Sequence, residues 1–369
     1  MPGFFKICNK MKAKIFMAAA GAALLAASCN GVSDTTRIVG TIAEPGLNEV
    51  NIVIESKNVD TLVTVTDGKF SVDLPCDVTT VGTISAGQYR VVFIPDGTRL
   101  EVTVGPESSV KSSPKSVNAR FTGFQDRSMA IQENFMTEVQ NIRAKSDITA
   151  EQTDSLLIAN YDRFTGEFIE LSKEALKQNS DNVIAVVALS NLSGMLQDDA
   201  QVDSLIGTLS PEMQANHEVV EMKNLIRTRM ETAEGRMFKD FTVEDSDGKT
   251  VKFSDYVGKG KYVLVDFWAS WCGPCKAEIP NIKAIYEEYH KKGLDVLSVA
   301  VWDRPEATKD TARVYGVNWS QIINAGQVPT ELYGIEGIPH IILFGPDGTI
   351  LKRNLRGEEI GEEIAKYIR

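Results

Sequence analysis

At 369 residues the chain is long enough for two or three domains. Hydrophobic residues make up 43% of it and charged residues 24%, which is ordinary for globular protein. The formal net charge of −11 argues against a surface that binds nucleic acid or an anionic membrane. We therefore predict no nucleic-acid partner.

The first 29 residues are arranged like an export signal. Three lysines between residues 10 and 14 precede an apolar run of 13 residues, 15–27, which is too short to cross a membrane as a helix. Its end, Leu25-Ala-Ala-Ser-Cys29, resembles the lipoprotein signal of bacteria, in which the cysteine becomes the lipidated first residue. We predict a signal peptide over 1–29 and a lipidated Cys29 that anchors the chain in the cell envelope, facing the periplasm. The alternative is ordinary secretory cleavage that leaves Cys29 as a free thiol.

Short segments in which apolar and polar residues alternate fill residues 37–105. Turn sequences such as Asp67-Gly68 and Pro95-Asp-Gly97 separate them. We predict a small all-β sandwich or barrel of six strands. The predicted strands are 38–42, 50–55, 62–66, 69–74, 89–94 and 99–104. Cys76 is interpreted as a structural thiol in a turn, because this segment holds no second cysteine.

Helical spacing takes over at residues 124–233, after a connector rich in Ser, Pro and Lys at 106–118. We predict helices that include 129–142, 149–179, 182–196, 202–209 and 211–230. The third is nearly all apolar and should be the most buried, whereas Met129 and Met136 should lie on the apolar stripe of the first. No catalytic constellation is present, so this segment is interpreted as a spacer, a partner surface or a dimer contact.

Strands and helices alternate over residues 236–369, which indicates an α/β domain. A leading pair of strands at 235–255 precedes strand 262–268, a helix at about 274–291, strand 294–302 and helix 305–315. A short segment at 331–334, strands 341–344 and 349–353, and a last helix at 357–368 complete it.

Two cysteines lie where the strand 262–268 gives way to the following helix. The first amides of a helix have no partner within it and its dipole is positive there, so Cys272 should ionise more readily than a free thiol. Cys275 is one helical turn away and close enough to form a disulfide with Cys272. We predict a redox pair, in which the thiolate of an accessible Cys272 attacks a substrate disulfide and a shielded Cys275 resolves the mixed disulfide.

Three other interpretations of this pair compete. Two buried cysteines without chemistry are one, but the intervening Gly-Pro and the strand–turn–helix context favour redox use. A zinc site would need more ligands, and the three histidines lack ligand spacing, so we predict no metal. A peroxidatic cysteine acts alone and usually follows a threonine, whereas Ser270 and Trp271 precede Cys272 here.

Several motifs of residues 236–369 resemble the thioredoxin fold. More narrowly, they are similar to the membrane-anchored TlpA/ResA group of oxidoreductases, which keep cytochrome c maturation substrates reduced. The matching sequences are Phe238-Lys-Asp-Phe241, Asp247-Gly-Lys249, Val265-Asp-Phe-Trp-Ala-Ser-Trp-Cys-Gly-Pro-Cys275, Glu278-Ile-Pro280, Tyr315-Gly-Val-Asn-Trp319, Gly337-Ile-Pro-His340 and Phe344-Gly-Pro-Asp-Gly-Thr-Ile350. The segment 37–105 resembles the β-rich domain of unknown function that often precedes thioredoxin modules in anchored lipoproteins.

Two carboxylates are candidate partners of the cysteines. Asp266 lies within an apolar strand, so burial should raise its pKa and let it exchange a proton with Cys275. The resemblance supports this role, and the alternative is a solvent-facing Asp at a bend. Glu278 follows Cys275 by three residues on the same helix face. The resemblance implies that Glu278 tunes the pKa values of the cysteine pair; otherwise it is a surface residue that favours the helix start.

Further site residues follow from the resemblance. Pro339 matches the cis-proline that faces the active site, so it should expose the Ile338 backbone for β-type pairing with a substrate chain and keep metal off the thiols. His340 is either a titratable neighbour of the site or a packing residue. Trp271 adjoins Cys272 and is the predicted substrate contact at the rim.

These features together predict an extracytoplasmic thiol–disulfide oxidoreductase that needs no cofactor. The Gly-Pro dipeptide between the cysteines is of the thioredoxin type and favours a reductant of exported disulfide-containing proteins. The resemblance then implies a membrane dithiol as electron donor. The alternatives are a disulfide oxidase or isomerase, and a binding lipoprotein with an accessory redox module.

Overall fold

We describe the chain from a computed structural model, which describes residues 33–196 and 198–368. The predicted signal peptide and Cys29 lie outside the described residues. Two β-sheets, a helical segment and a mixed α/β unit follow one another along the described chain. This order confirms the predicted fold class. None of the helices within the described ranges is long and apolar enough to cross a membrane.

The N-terminal unit is a β-sandwich, one of the two architectures that the sequence predicts. Its strands are β1 (Thr35–Ile42), β2 (Glu49–Ile54), β3 (Val59–Thr64), β4 (Lys69–Pro75), β5 (Gly82–Ala86), β6 (Tyr89–Phe93), β7 (Arg99–Val104) and β8 (Ser109–Lys111). They form two four-stranded sheets, in the orders β4-β1-β7-β8 and β3-β2-β5-β6. Apolar residues of both sheets share one core, so the alternating pattern predicts the buried face correctly.

The prediction of six strands was too low, since the sandwich has eight. β5 begins with glycine and is rich in small residues, so its sequence lacks the bulky β-branched pattern of a strand. β8 has three residues and lies inside the predicted connector, where its pairing with β7 defines it. Cys76 follows β4 and is partly buried; burial, together with nearby Asp96 and Asp77, raises the pKa of its thiol.

Cross-strand pairs of glycine and phenylalanine fix the packing of both sheets. Gly82 pairs with Phe93, and Gly40 pairs with Phe70 in the other sheet. A Cβ atom built at Gly82 would lie 2.4 Å from the Phe93 ring, which is fully buried. The aromatic ring therefore occupies the space that the missing side chain leaves.

The helical segment begins earlier than predicted. Its helices are α1 (Val117–Ala144), α2 (Ala150–Gln178), α3 (Ile184–Met195), α4 (Asp199–Ile206), α5 (Pro211–Gln214) and α6 (His217–Glu231). α1 starts at Val117, ahead of 124, because Ser116 in the predicted connector accepts a hydrogen bond from the Ala119 amide. The predicted helix 211–230 is divided into two helices, α5 and α6. Asn216 is the N-cap of the second, because its side chain accepts a hydrogen bond from the Glu218 amide.

Burial within this segment follows the prediction only in part. α3 is the most buried helix, with Ile184, Ala188 and Leu192 fully covered. Met129 and Met136 of α1 are instead 59% and 54% exposed, which corrects their assignment to a buried stripe. The shared core of this segment instead uses Phe121 and Phe124 of α1.

The C-terminal unit is built on a five-stranded sheet in the order β13-β12-β11-β14-β15. Its strands are β9 (Thr242–Glu244), β10 (Thr250–Lys252), β11 (Tyr262–Trp268), β12 (Leu294–Val301), β13 (Ser320–Gly326), β14 (His340–Phe344) and β15 (Ile350–Arg353). Its helices are α7 (Gly273–Tyr289), α8 (Pro305–Tyr315), α9 (Val328–Tyr333) and α10 (Glu358–Ala365). The edge strand β13 is absent from the sequence prediction. It begins Ser-Gln, and two of its three apolar positions are adjacent, so the alternation is short.

Side-chain alternation along β11 determines which of its residues face the helix that carries the cysteines. Val263, Val265 and Phe267 point into one core, whereas Leu264 and Trp268 point into the core that α7 covers. Asp266 has the parity of the second set. It therefore points toward the helix that carries both cysteines.

We expect Gly82→Ala to lower the free energy of unfolding by about 1–3 kcal/mol, because a methyl group would push the Phe93 ring out of the sandwich core. Gly166→Ala is the matched control. Within the part of the chain that the structure describes, no atom outside the local helix backbone lies within 4 Å of a Cβ at Gly166 in α2, so this change should raise the free energy of unfolding by about 0.5–1 kcal/mol. Calorimetric unfolding of both variants tests the pair, and shifts of the same sign would contradict the packing argument.

Candidate active site

Cys272 and Cys275 form a disulfide at the start of α7, with a Cα–Cα distance of 5.3 Å. Cys272 is the N-cap of the helix, and its Sγ accepts a hydrogen bond of 3.1 Å from the Cys275 amide. The same amide would donate to a thiolate once the pair is reduced, and the helix dipole would add to its effect. This geometry singles out Cys272 as the sulfur that the helix start stabilises as an anion.

Burial does not separate the two cysteines as the sequence interpretation expects. Cys272 is 4% exposed and Cys275 is 1% exposed, so the first sulfur is nearly covered in the disulfide form. The backbone of Ile338 contributes to this cover, since its carbonyl oxygen lies 3.7 Å from the Cys272 Sγ. The expectation of an accessible Cys272 is therefore corrected for the oxidised state, and the helix-start amide is what distinguishes it from Cys275.

Asp266 is buried, 1% exposed, on the cysteine side of the sheet. Among the described residues its Oδ1 atom has no hydrogen-bond partner. Burial, and secondarily the charge of Glu278, raises the pKa of Asp266 to about 7, while Arg356 opposes the rise. The structure thus excludes the alternative of a solvent-facing Asp, and a carboxyl group with this pKa can both release and accept a proton near neutral pH.

Glu278 is partly buried on α7 and is held by the far end of the chain. Its Oε1 atom accepts hydrogen bonds from the Gly357 amide, at 3.1 Å, and from the Asn281 side chain, at 2.7 Å. The interpretation of Glu278 as a plain surface residue does not fit these contacts. Its charge acts on Asp266, which links it to the proton chemistry of the site.

Arg356 is a site residue that sequence reasoning missed. Its guanidinium donates to the carbonyl oxygens of Pro339 and Leu355, and its charge acts on both Asp266 and Glu278. It comes from the turn before α10, about 80 positions along the chain from the cysteines, and no local pattern marks it. The only sequence signal is an arginine directly before the glycine at which the last helix begins.

The Ile338–Pro339 bond is cis and lies beside the disulfide, as the resemblance implies. His340 follows it and begins β14, where it pairs with Phe267 of β11. Burial, together with cationic Arg353 and Arg356, lowers the pKa of His340 to about 3. His340 is consequently neutral near pH 7, which favours its interpretation as a packing residue.

Trp271 projects from the turn that carries Cys272 and is 60% exposed. Its indole Nε1 donates to the Trp302 carbonyl oxygen at 3.0 Å. Asp303, also missed in the sequence, accepts hydrogen bonds from the Ser270 amide and hydroxyl at 2.6 and 2.9 Å. These bonds hold the turn against the end of β12. They leave the indole face of Trp271 open beside the cysteine pair.

Comparisons with known proteins match this chain to thiol–disulfide chemistry. Residues 235–353 match the AhpC/TSA family. Thiol-disulfide oxidoreductase ResA of Bacillus anthracis is 30% identical over 135 residues, which span 37% of this chain and 76% of that protein. The ResA of Halalkalibacterium halodurans is 30% identical over 149 residues, or 40% and 83% of the two chains. The solved thioredoxin domain of a thiol-disulfide oxidoreductase from Bacteroides vulgatus shows 33% identity, covers 37% of this chain and 99% of its own, and gives a TM-score of 0.34.

We expect the resolution of the mixed disulfide by Cys275 to accelerate as the pH rises through about 7, because Asp266 must be unprotonated to accept the Cys275 proton. Asp266→Asn should slow this step by about 10-fold or more and remove the inflection near pH 7 from the plot of rate against pH. Arg356→Met should move the inflection to higher pH, because the guanidinium lowers the pKa of Asp266. Single-turnover rates on both sides of that pKa provide the measurement.

The control for this prediction is Arg313→Met, which removes an exposed cation that is paired with Asp310 on α8. It should leave the inflection in place. An inflection that persists unchanged in Asp266→Asn would contradict the assignment.

Proposed function

Because the chain belongs to the ResA-type thiol–disulfide oxidoreductases, we propose that it acts outside the cytoplasm as a membrane-anchored reductant of exported proteins. The observation that carries this proposal is the position of the Cys272 sulfur. It accepts a hydrogen bond from the Cys275 amide at the start of α7 and lies against the backbone of Ile338. Both contacts support the proposal: the amide would stabilise a Cys272 thiolate in the reduced protein, and the backbone of Ile338 would pair with a substrate chain beside it.

The reaction transfers two electrons from the reduced cysteine pair to a substrate disulfide. The Cys272 thiolate attacks one substrate sulfur, the substrate S–S bond breaks, and the departing substrate thiolate takes up a proton. Asp266 then accepts the proton of Cys275, whose sulfur attacks Cys272 and displaces the second substrate thiolate. The products are a substrate dithiol and the Cys272–Cys275 disulfide, and a membrane dithiol donor must reduce the latter for another cycle.

Substrate binding is assigned to the surface around the disulfide. Ile338 offers backbone groups for β-type pairing with an extended chain. The exposed indole of Trp271 offers an apolar contact at the rim. Reduction rather than oxidation is proposed from the Gly-Pro dipeptide between the cysteines, Gly273 and Pro274, which is of the thioredoxin type.

We expect Cys275→Ser to accumulate mixed disulfides between Cys272 and exported proteins, because the resolving thiol is missing. Cys272→Ser should abolish turnover and trap nothing. Non-reducing electrophoresis after acid quenching of cells distinguishes the two variants. Cys76→Ser is the control and should behave as wild type, since Cys76 lies in the sandwich. Equal trapping by both site variants would contradict the roles proposed for Cys272 and Cys275.

Anchoring through Cys29 gives a separate prediction. Cys29→Ser should release the chain from the membrane fraction into the soluble periplasmic fraction, because a lipid-modified cysteine would be lost. Fractionation of cells that express each form provides the measurement, with Cys76→Ser again as the control. A Cys29→Ser chain that stays as firmly membrane-bound as wild type would contradict the anchor.

A further inference from the structure

The loop that leads into Pro339 is held by the helical segment. We name residues 334–339 the proline loop. Arg229 of α6 lies on it: its Nη1 atom donates to Glu336 at 2.9 Å, while its Nε atom donates to Asp199 of α4 at 3.1 Å. The stem of Arg229 also packs on Gly334, where a Cβ atom would lie 2.5 Å from the arginine Cγ. A positive φ of 62° at Gly334 matches this close approach, which a side chain would prevent.

A second arginine joins both ends of the proline loop to the helical segment. Arg353 of β15 donates to the backbone oxygen and hydroxyl of Thr232, the C-cap of α6, at 2.7 Å each. Its other terminal nitrogen donates to the Tyr333 carbonyl oxygen at 2.7 Å and lies 3.4 Å from His340 Nε2. Tyr333 directly precedes the loop and His340 directly follows it. Thr232 and Tyr333 are fully buried, so breaking these bonds would leave polar groups unsatisfied away from water.

We propose that the helical segment is a positioning device that fixes the proline loop and so sets the affinity of the enzyme for protein substrates. Arg229 and Arg353 act as positioning residues through the loop, since neither touches the sulfurs. The inference rests on the proposed function in one respect, namely that the backbone of Ile338 pairs with the substrate chain. It gives the helical segment a role at the site beyond that of a spacer.

The contacts differ in how much they contribute. Glu336 is 64% exposed, so its ion pair with Arg229 is screened by solvent and is weak alone. The same guanidinium also pairs with Asp199, and this pair is only 21% and 28% exposed, so the charged end of Arg229 joins α4 to the proline loop. The packing of Arg229 on Gly334 and the buried bonds of Arg353 add to this effect. On the opposite side, Arg356 of the C-terminal unit binds the Pro339 carbonyl oxygen. The loop is thus fixed from two units: by the helical segment through Arg229 and Thr232, and by the C-terminal unit through Arg356 and the core that buries Ile335.

Arg229→Met tests this role, because methionine keeps part of the apolar stem over Gly334 but removes both charged contacts. With the full chain in detergent and insulin as the protein disulfide, we expect KM to rise about 3- to 10-fold and kcat to stay within about 2-fold, as for loss of uniform binding. Reduction of the small aromatic disulfide 5,5′-dithiobis(2-nitrobenzoate) should be unchanged, because it needs no backbone pairing. Hydrogen exchange of amides 335–338 should become faster.

Arg227→Met is the matched control. Arg227 lies on the same helix, is exposed, and donates to Asn224 of its own helix. It should leave the KM for insulin and the exchange of the proline loop unchanged. An unchanged KM in Arg229→Met, or an equal loss of activity toward both disulfides, would overturn the proposal.

Failure of the proposed function gives a different result. If the wild-type protein oxidises dithiols and does not reduce insulin, the reductant assignment fails. The same pair of variants is then compared with reduced insulin as substrate. A KM effect confined to Arg229→Met would still support the positioning role, and its absence would overturn that role independently.

Discussion

The hydrogen bond from the Cys275 amide to the Cys272 sulfur is the interaction on which the rest of the site depends. It exists because β11 ends at Trp268 and α7 begins at Gly273, so the turn between them places Cys272 at the helix N-cap. The unpaired amides of a helix start favour an anion there, and a thiolate is the reactive form of cysteine. Ser270, through Asp303, holds the same turn in place.

A buried carboxyl group is the second constraint, and it opposes stability. The pKa of Asp266 is raised from 3.8 to about 7, so the native state holds a proton that the unfolded chain has released. The resulting loss in the free energy of unfolding is absent below about pH 4 and complete above about pH 7. At 1.36 kcal/mol per pKa unit it amounts to roughly 4 kcal/mol. A chain selected for stability alone would place an apolar residue there. The proton-acceptor role proposed for Asp266 would account for an Asp at this position.

Features encoded by adjacent residues were predictable, and those that depend on distant segments were not. The bounds of β11, the cap of α2 at Thr149 and the pairing of the two cysteines all follow from local pattern. Arg356 and Asp303 reach the site from loops that only the folded sheet brings close. The strand β8 forms because β7 offers it an edge, and no periodicity in three residues indicates that. The contacts of Arg229 depend on how α6 meets the proline loop, which the helical pattern of α6 leaves open.

The reduction potential of the Cys272–Cys275 pair tests the central claim most directly. The chain from residue 30 onward would be equilibrated against defined dithiol buffers, and the fraction of disulfide measured. If the pair donates electrons, as the Gly-Pro dipeptide favours, we expect a strongly reducing value near the thioredoxin end of the scale, about −270 mV. A value toward the oxidising end, about −120 to −180 mV, would contradict the reductant and assign the site to disulfide formation or isomerisation.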